Sequence, residues 1–65
     1  MEQAEKILSE LGLKCSLGSW SNENGHYAIC YNRKQGNTWV DKLTAAGYKA
    51  GVYYEQYAYI VHFKK

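Results

Sequence analysis

The stretch Leu43-Thr-Ala-Ala-Gly-Tyr-Lys-Ala-Gly-Val-Tyr-Tyr54 repeats the grammar of an earlier one, Leu8-Ser-Glu-Leu-Gly-Leu-Lys-Cys-Ser-Leu-Gly-Ser19. With Leu8 laid on Leu43, Ser9 falls on Thr44, Leu11 on Ala46, Gly12 on Gly47, Lys14 on Lys49 and Leu17 on Val52. Upstream of each glycine the apolar residues recur at the three-and-four spacing of one helix face: Ala4, Ile7, Leu8 and Leu11, then Trp39, Val40, Leu43 and Ala46. A glycine after such a run takes the left-handed conformation without a Cβ penalty, so Gly12 and Gly47 are expected to stop the two helices. Past each glycine the period becomes two. Leu13, Cys15 and Leu17 alternate with Lys14, Ser16 and Gly18, and Tyr48, Ala50, Val52 and Tyr54 with Lys49, Gly51 and Tyr53, which predicts strands.

Outward from these phrases, Asn22-Glu23-Asn24-Gly25 reads as a turn into a second strand, HYAICYN, and Glu55-Gln56 as a turn into a fourth, YAYIVHF. Gly36-Asn37 reads as a break before the second helix, with Thr38 as its cap and Asp41 three residues on. The chain therefore predicts an α+β fold built as a tandem αββ duplication, one unit over residues 2–34 and the other over 37–65, ending alike in Arg33-Lys34 and Lys64-Lys65. One such unit cannot bury its own apolar face. Two can, by merging their hairpins into a four-stranded antiparallel sheet with both helices on one face. A right-handed crossover allows strand order 1-2-4-3 or 2-1-3-4, and the apolar fourth strand favours the first.

A chain of 65 residues, 46% hydrophobic and 22% charged, suits a single small globular domain. MEQAEKIL lacks a basic segment followed by an apolar run, and no apolar stretch approaches bilayer length, so a cytoplasmic location is expected. Cys15 and Cys30 are too few for a disulfide scaffold. Reduced, packed thiols are the default, and a Cys15–Cys30 bridge is the minor alternative. The net charge of +2 is unevenly spread, because Glu2, Glu5 and Glu10 outweigh Lys6 in the first helix and the rest is basic.

Catalytic chemistry finds no support. No nucleophile has a base beside it, no carboxylates pair in an apolar setting, and the glycines lack phosphate-loop spacing. His26 and Cys30 lie about 13 Å apart along one strand face, and Cys15 and His62 come from opposite faces, so neither metal nor cofactor is expected. Arg33-Lys34-Gln35 suits a phosphate near the second helix, although a solvated basic turn is the commoner meaning.

The informative surface is the sheet face that the helices leave bare. An even-length first loop points Ala28 and Cys30 inward and Tyr27, Ile29, Tyr31 and Arg33 outward. A two-residue second turn sends Tyr57, Tyr59, Val61 and Phe63 inward, leaving Lys49, Gly51, Tyr53, Ala58, Ile60, His62 and Lys64 outside. Trp20 and Lys14 join them by the same parity. The candidate binding residues are Trp20, Tyr27, Tyr31, Arg33, Lys49, Tyr53 and His62. Rings and cations on an open sheet suit single-stranded nucleic acid, though no RNP-like motif is present. The same face, or a sheet edge, equally suits a protein partner or homodimerisation. A bulge in the second strand would instead make Tyr27, Ile29 and Tyr31 plain core.

Overall fold

The structure, a computed structural model, describes residues 3–13 and 17–65. Among the described residues two helices and four strands follow in the order α1 (Ala4–Glu10), β1 (Ser19–Asn22), β2 (Gly25–Cys30), α2 (Arg33–Ala45), β3 (Lys49–Glu55) and β4 (Ala58–Lys64). The strands form one antiparallel sheet in the order β1-β2-β4-β3, the favoured of the two expected arrangements, with β2 and β4 central. Both helices cover one face: α1 packs on β1 and β2, and α2 mainly on β3 and β4.

The repeated phrase marks the same local device twice. Gly12 (φ 75°) and Gly47 (φ 96°) are left-handed. The Leu13 N–H donates to the Leu8 carbonyl at 2.7 Å and the Gly12 N–H to Ser9 at 3.0 Å; the Tyr48 N–H donates to Leu43 and the Gly47 N–H to Thr44, both at 3.0 Å. Each helix thus closes in a Schellman motif, which satisfies carbonyls that would otherwise lack donors and brings the next residue back over the helix.

The start of α2 differs from expectation. Asn32, and not Thr38, is the cap: its Oδ1 accepts from the Gln35 N–H at 2.8 Å, while Gln35 Oε1 accepts from the Tyr31 N–H at 2.7 Å. This reciprocal pair works like a capping box and begins the helix four residues before the expected second unit. Gly36 and Asn37 therefore do not break the chain. Gly36 is buried against β3, and a Cβ there would lie 2.7 Å from Val52 Cγ2. The Thr38 hydroxyl donates to the Lys34 carbonyl at 3.1 Å, as a mid-helix threonine does. Arg33-Lys34 accordingly opens α2 and does not end β2, so its correspondence with Lys64-Lys65 fails.

The register of the first hairpin is the expected one, with Ser21 opposite His26 and Ser19 opposite Ala28, and Ala28 and Cys30 are buried. The reading of Tyr27 and Ile29 as plain core does not hold: both lie on the other face, half-buried. The first strand, however, is Ser19–Asn22, and neither Leu13 nor Leu17 belongs to it. Leu13 is buried against the end of α1, and Leu17 is exposed instead of facing the helices. Lys14, Cys15 and Ser16 lie outside the described residues, and with them the Cys15–Cys30 pairing. The second turn falls one residue later than expected, on Gln56 (φ 51°) and Tyr57 (φ 65°), with Glu55 opposite Ala58. Two positive φ values make this a type I′ turn, whose twist matches the strands. Tyr57 consequently stands at the hairpin tip, 94% exposed, and does not point inward.

The core lies between the helices and the inner sheet face. Ala4, Ile7, Leu8 and Leu13 meet Ala28, Cys30, Trp39, Leu43, Val61 and Phe63. Phe63, Leu8, Leu43 and Val61 are the largest fully buried side chains, each worth about 1.5–3 kcal/mol of transfer free energy. Ser21 fastens α1 to the first hairpin: α1's own cap residue, Gln3, makes no side-chain cap, and the Ala4 N–H donates instead to Ser21 Oγ at 2.9 Å. Ser21 Oγ also shares a hydrogen bond with His26 Nδ1 at 2.7 Å.

Candidate nucleic-acid interface

The antiparallel registers set the outer face in rows across the sheet. Trp20, Tyr27, His62 and Gly51 lie opposite one another along one row. Ile29, Ile60 and Tyr53 make the next. Lys64 and Lys49 are paired at the end of β4 and the start of β3.

The aromatic row divides into two pairs. Trp20 and Tyr27 stack with ring centroids 5.1 Å apart and planes within 11°. His62 lies over Gly51, whose missing side chain leaves the room: a Cβ there would be 2.8 Å from His62 Nε2. The His62 ring also meets Tyr53 at 5.7 Å. In the next row Ile60, opposite both Ile29 and Tyr53, is only 9% exposed. Trp20 keeps 42% of its surface in water. From β1 to β3 is three strand spacings, about 14 Å, which separates the Trp20 end of the face from the Tyr53 end.

Charge on this face is mostly positive. Lys49 and Lys64 stand directly opposite each other, an arrangement that destabilises a bare sheet. Among the described residues the face holds one carboxylate, Glu55, at the far end of β3. Burial pushes the Tyr53 phenol above its ordinary pKa, and the Glu55 carboxylate and the Tyr27 phenol add to the shift. Glu5 and Glu10 sit on α1, across the thickness of the domain.

Of the seven residues expected to form a site, Trp20, Tyr27, Lys49, Tyr53 and His62 share this face. Tyr31 follows β2 and is exposed, at the opposite end of the face from the lysine pair. Arg33 does not join them, because it belongs to α2 and its guanidinium carbon lies 5.3 Å from the centroid of the Tyr59 ring. Together Tyr31, Arg33, Tyr54, Tyr57 and Tyr59 line an open cleft of about 780 Å³ at the end of the sheet. Lys64 shares the face with Trp20, Tyr27, Lys49, Tyr53 and His62, and its parity is legible in the sequence; the cleft is not, because it depends on a second turn that falls one residue later than its composition suggests.

Among the described residues no three His, Cys, Asp or Glu side chains gather where they could hold a metal ion. No helix of the described residues is long and apolar enough to cross a membrane. No protein-family model, curated protein or solved structure matches the chain.

Proposed function

We propose that this chain is a small non-catalytic module that binds single-stranded nucleic acid across the open face of its sheet. The observation that carries the reading is the pairing of a half-exposed Trp20–Tyr27 stack with Lys49 and Lys64, which face each other at the same end of an almost acid-free surface. A base that continues the stack on Trp20 gains from ring–ring contact whatever its identity, at about 1–3 kcal/mol per base. A phosphate between Lys49 and Lys64 relieves their repulsion, so the lysine pair favours an anionic partner over a neutral one. Tyr53 and His62 offer a second aromatic position beside it, with His62 directly opposite Tyr27 and Tyr53 on the far edge strand.

The test is an amide chemical-shift titration with short oligo-dT and oligo-rU, followed in parallel by Trp20 fluorescence. Shifts are expected at Trp20, Tyr27, Lys49, Tyr53, His62 and Lys64, with α1 unmoved. Two phosphate contacts give a log–log salt slope of about −1.4 for a single strand. Lys49→Ala with Lys64→Ala should flatten that slope, and Trp20→Ala should weaken binding without changing it. A spectrum unmoved by millimolar oligonucleotide at low salt overturns the proposal and leaves a protein surface as the use of this face.

A further inference from the structure

The two edges of the sheet are not alike. Edge strands present unpaired N–H and C=O groups, and natural proteins guard them with short length, proline, bulges or charge. β1 is four residues long. β3 runs for seven, contains no proline, and pairs with β4 without a bulge from Lys49 opposite Lys64 to Glu55 opposite Ala58. Its interior, Ala50-Gly-Val-Tyr-Tyr54, is uncharged.

Charge sits only at the two ends of β3, and the signs are opposite. Lys49 and Glu55 are both exposed and lie three residues on either side of Val52. An antiparallel second copy laid along this edge with its two-fold axis at Val52 places Lys49 opposite Glu55 of the other copy at both ends of the seam. Ala50 then faces Tyr54, and Gly51, over which the His62 ring of its own chain lies, faces Tyr53. A parallel pairing would set Lys49 against Lys49 and Glu55 against Glu55, and a slip of two residues would leave the charges unmatched. The edge is self-complementary in one register and one direction.

We infer that β3 is a dimerisation strand, and that two copies of this chain pair through it, antiparallel about Val52, into a continuous eight-stranded sheet. The occupant is a second copy because the charge pattern is its own complement. The inference does not rest on nucleic-acid binding, although the two readings share Lys49: the bare face stays open in the dimer and each copy keeps its Trp20–Tyr27 stack.

The experiment is sedimentation of the full chain up to millimolar concentration at low salt, with three variants at exposed positions. Lys49→Glu alone and Glu55→Lys alone each turn both end pairs repulsive and should weaken the dimer on the order of tenfold. Mixing those two variants should restore association, because one then carries a carboxylate at both ends of its strand and the other an ammonium at both ends. The double swap, K49E with E55K in one chain, should dimerise like the original. In a mixed-label sample, nuclear Overhauser contacts across the seam should link Val52 of one copy to Val52 of the other. A chain that stays monomeric at millimolar concentration overturns the inference. A dimer indifferent to both single variants overturns it as well, by placing the interface elsewhere.

Discussion

Replacing Gly36 with alanine sets two effects of similar size against each other. On an open helix the change gains about 1 kcal/mol, because glycine loses more backbone freedom than alanine does. In α2 the added methyl would lie 2.7 Å from Val52 Cγ2, 3.5 Å from Val52 Cβ and 3.7 Å from Val61 Cγ2. Carbon atoms are comfortable at about 3.5–4.0 Å, so only the first contact is a clash, and it calls for roughly 0.8 Å of movement. Val52 yields poorly, since a β-branched side chain is stiff at χ1 and its strand is held by β4, where Val52 faces Val61. Overpacking of this kind costs about 1–3 kcal/mol. The expected net result is a loss of about 1 kcal/mol, seen as a melting temperature about 4–8 °C lower for a domain of this size. In a Val52→Ala background the clashing atom is gone, and Gly36→Ala should stabilise by about 1 kcal/mol. Urea unfolding of the four proteins, followed by circular dichroism, should therefore give a coupling of about 2 kcal/mol between the two sites. Equal responses in the two backgrounds, or a stabilised single mutant, would show that α2 does not approach β3 this closely.

Gly47→Ala should destabilise by about 1 kcal/mol for a different reason: the space around it is open, and the cost is that of a Cβ at φ 96°. A urea midpoint at or above that of the original chain would contradict the Schellman assignment. Replacing Gln56-Tyr57 by Asn-Gly should stabilise by about 1 kcal/mol, because both residues hold positive φ and the nearly fully exposed Tyr57 ring gives up little on leaving; an unchanged melt would mean that the turn carries no strain. The raised Tyr53 pKa means that the neutral phenol contributes stability in full below the unfolded value near 10, and that this is lost as pH rises through the higher folded value. Alkaline spectrophotometric titration should show a late phenol that Tyr53→Phe removes and Glu55→Gln moves downward, and an early phenol at Tyr53 would contradict the geometry of the face.

What is legible in the sequence comes from features whose physics is local. Gly12 and Gly47 announce helix ends because only glycine sits cheaply at a left-handed position after an amphipathic run, and both do so in the structure. Alternation sets the facing of β2, β3 and β4, and with it the shared surface of Trp20, Tyr27, Tyr53 and His62. The sequence misleads where a residue serves a distant partner. Gly36 reads as a break, yet its small size lets α2 meet Val52, and nothing in the neighbouring residues reveals that. Arg33 reads as the end of a strand because the strand pattern HYAICYN runs through Asn32, a residue whose side chain can cap a helix as readily as it can end a strand. Tyr57 reads as core because Gln-Tyr is a poor sequence for a type I′ turn, and tertiary context overrides that preference.

The placement of β2 beside β4 also governs how the chain can assemble. His26 must find Phe63 and Cys30 must find Tyr59 across all of α2 and β3. Closing a loop of roughly 30 residues costs about 3 kcal/mol of chain entropy before the first ladder bond compensates for it. From Arg33 onward most contacts are between neighbours in sequence, α2 to β3 and β3 to β4, with α2 also reaching β4, and these need a shorter search. α1, β1 and β2 have only a thin set of contacts of their own and acquire a core when they dock on β4. The seam at the middle of the sheet therefore ties the fate of the first half to that of the second, and the domain gains or loses its order as one cooperative unit.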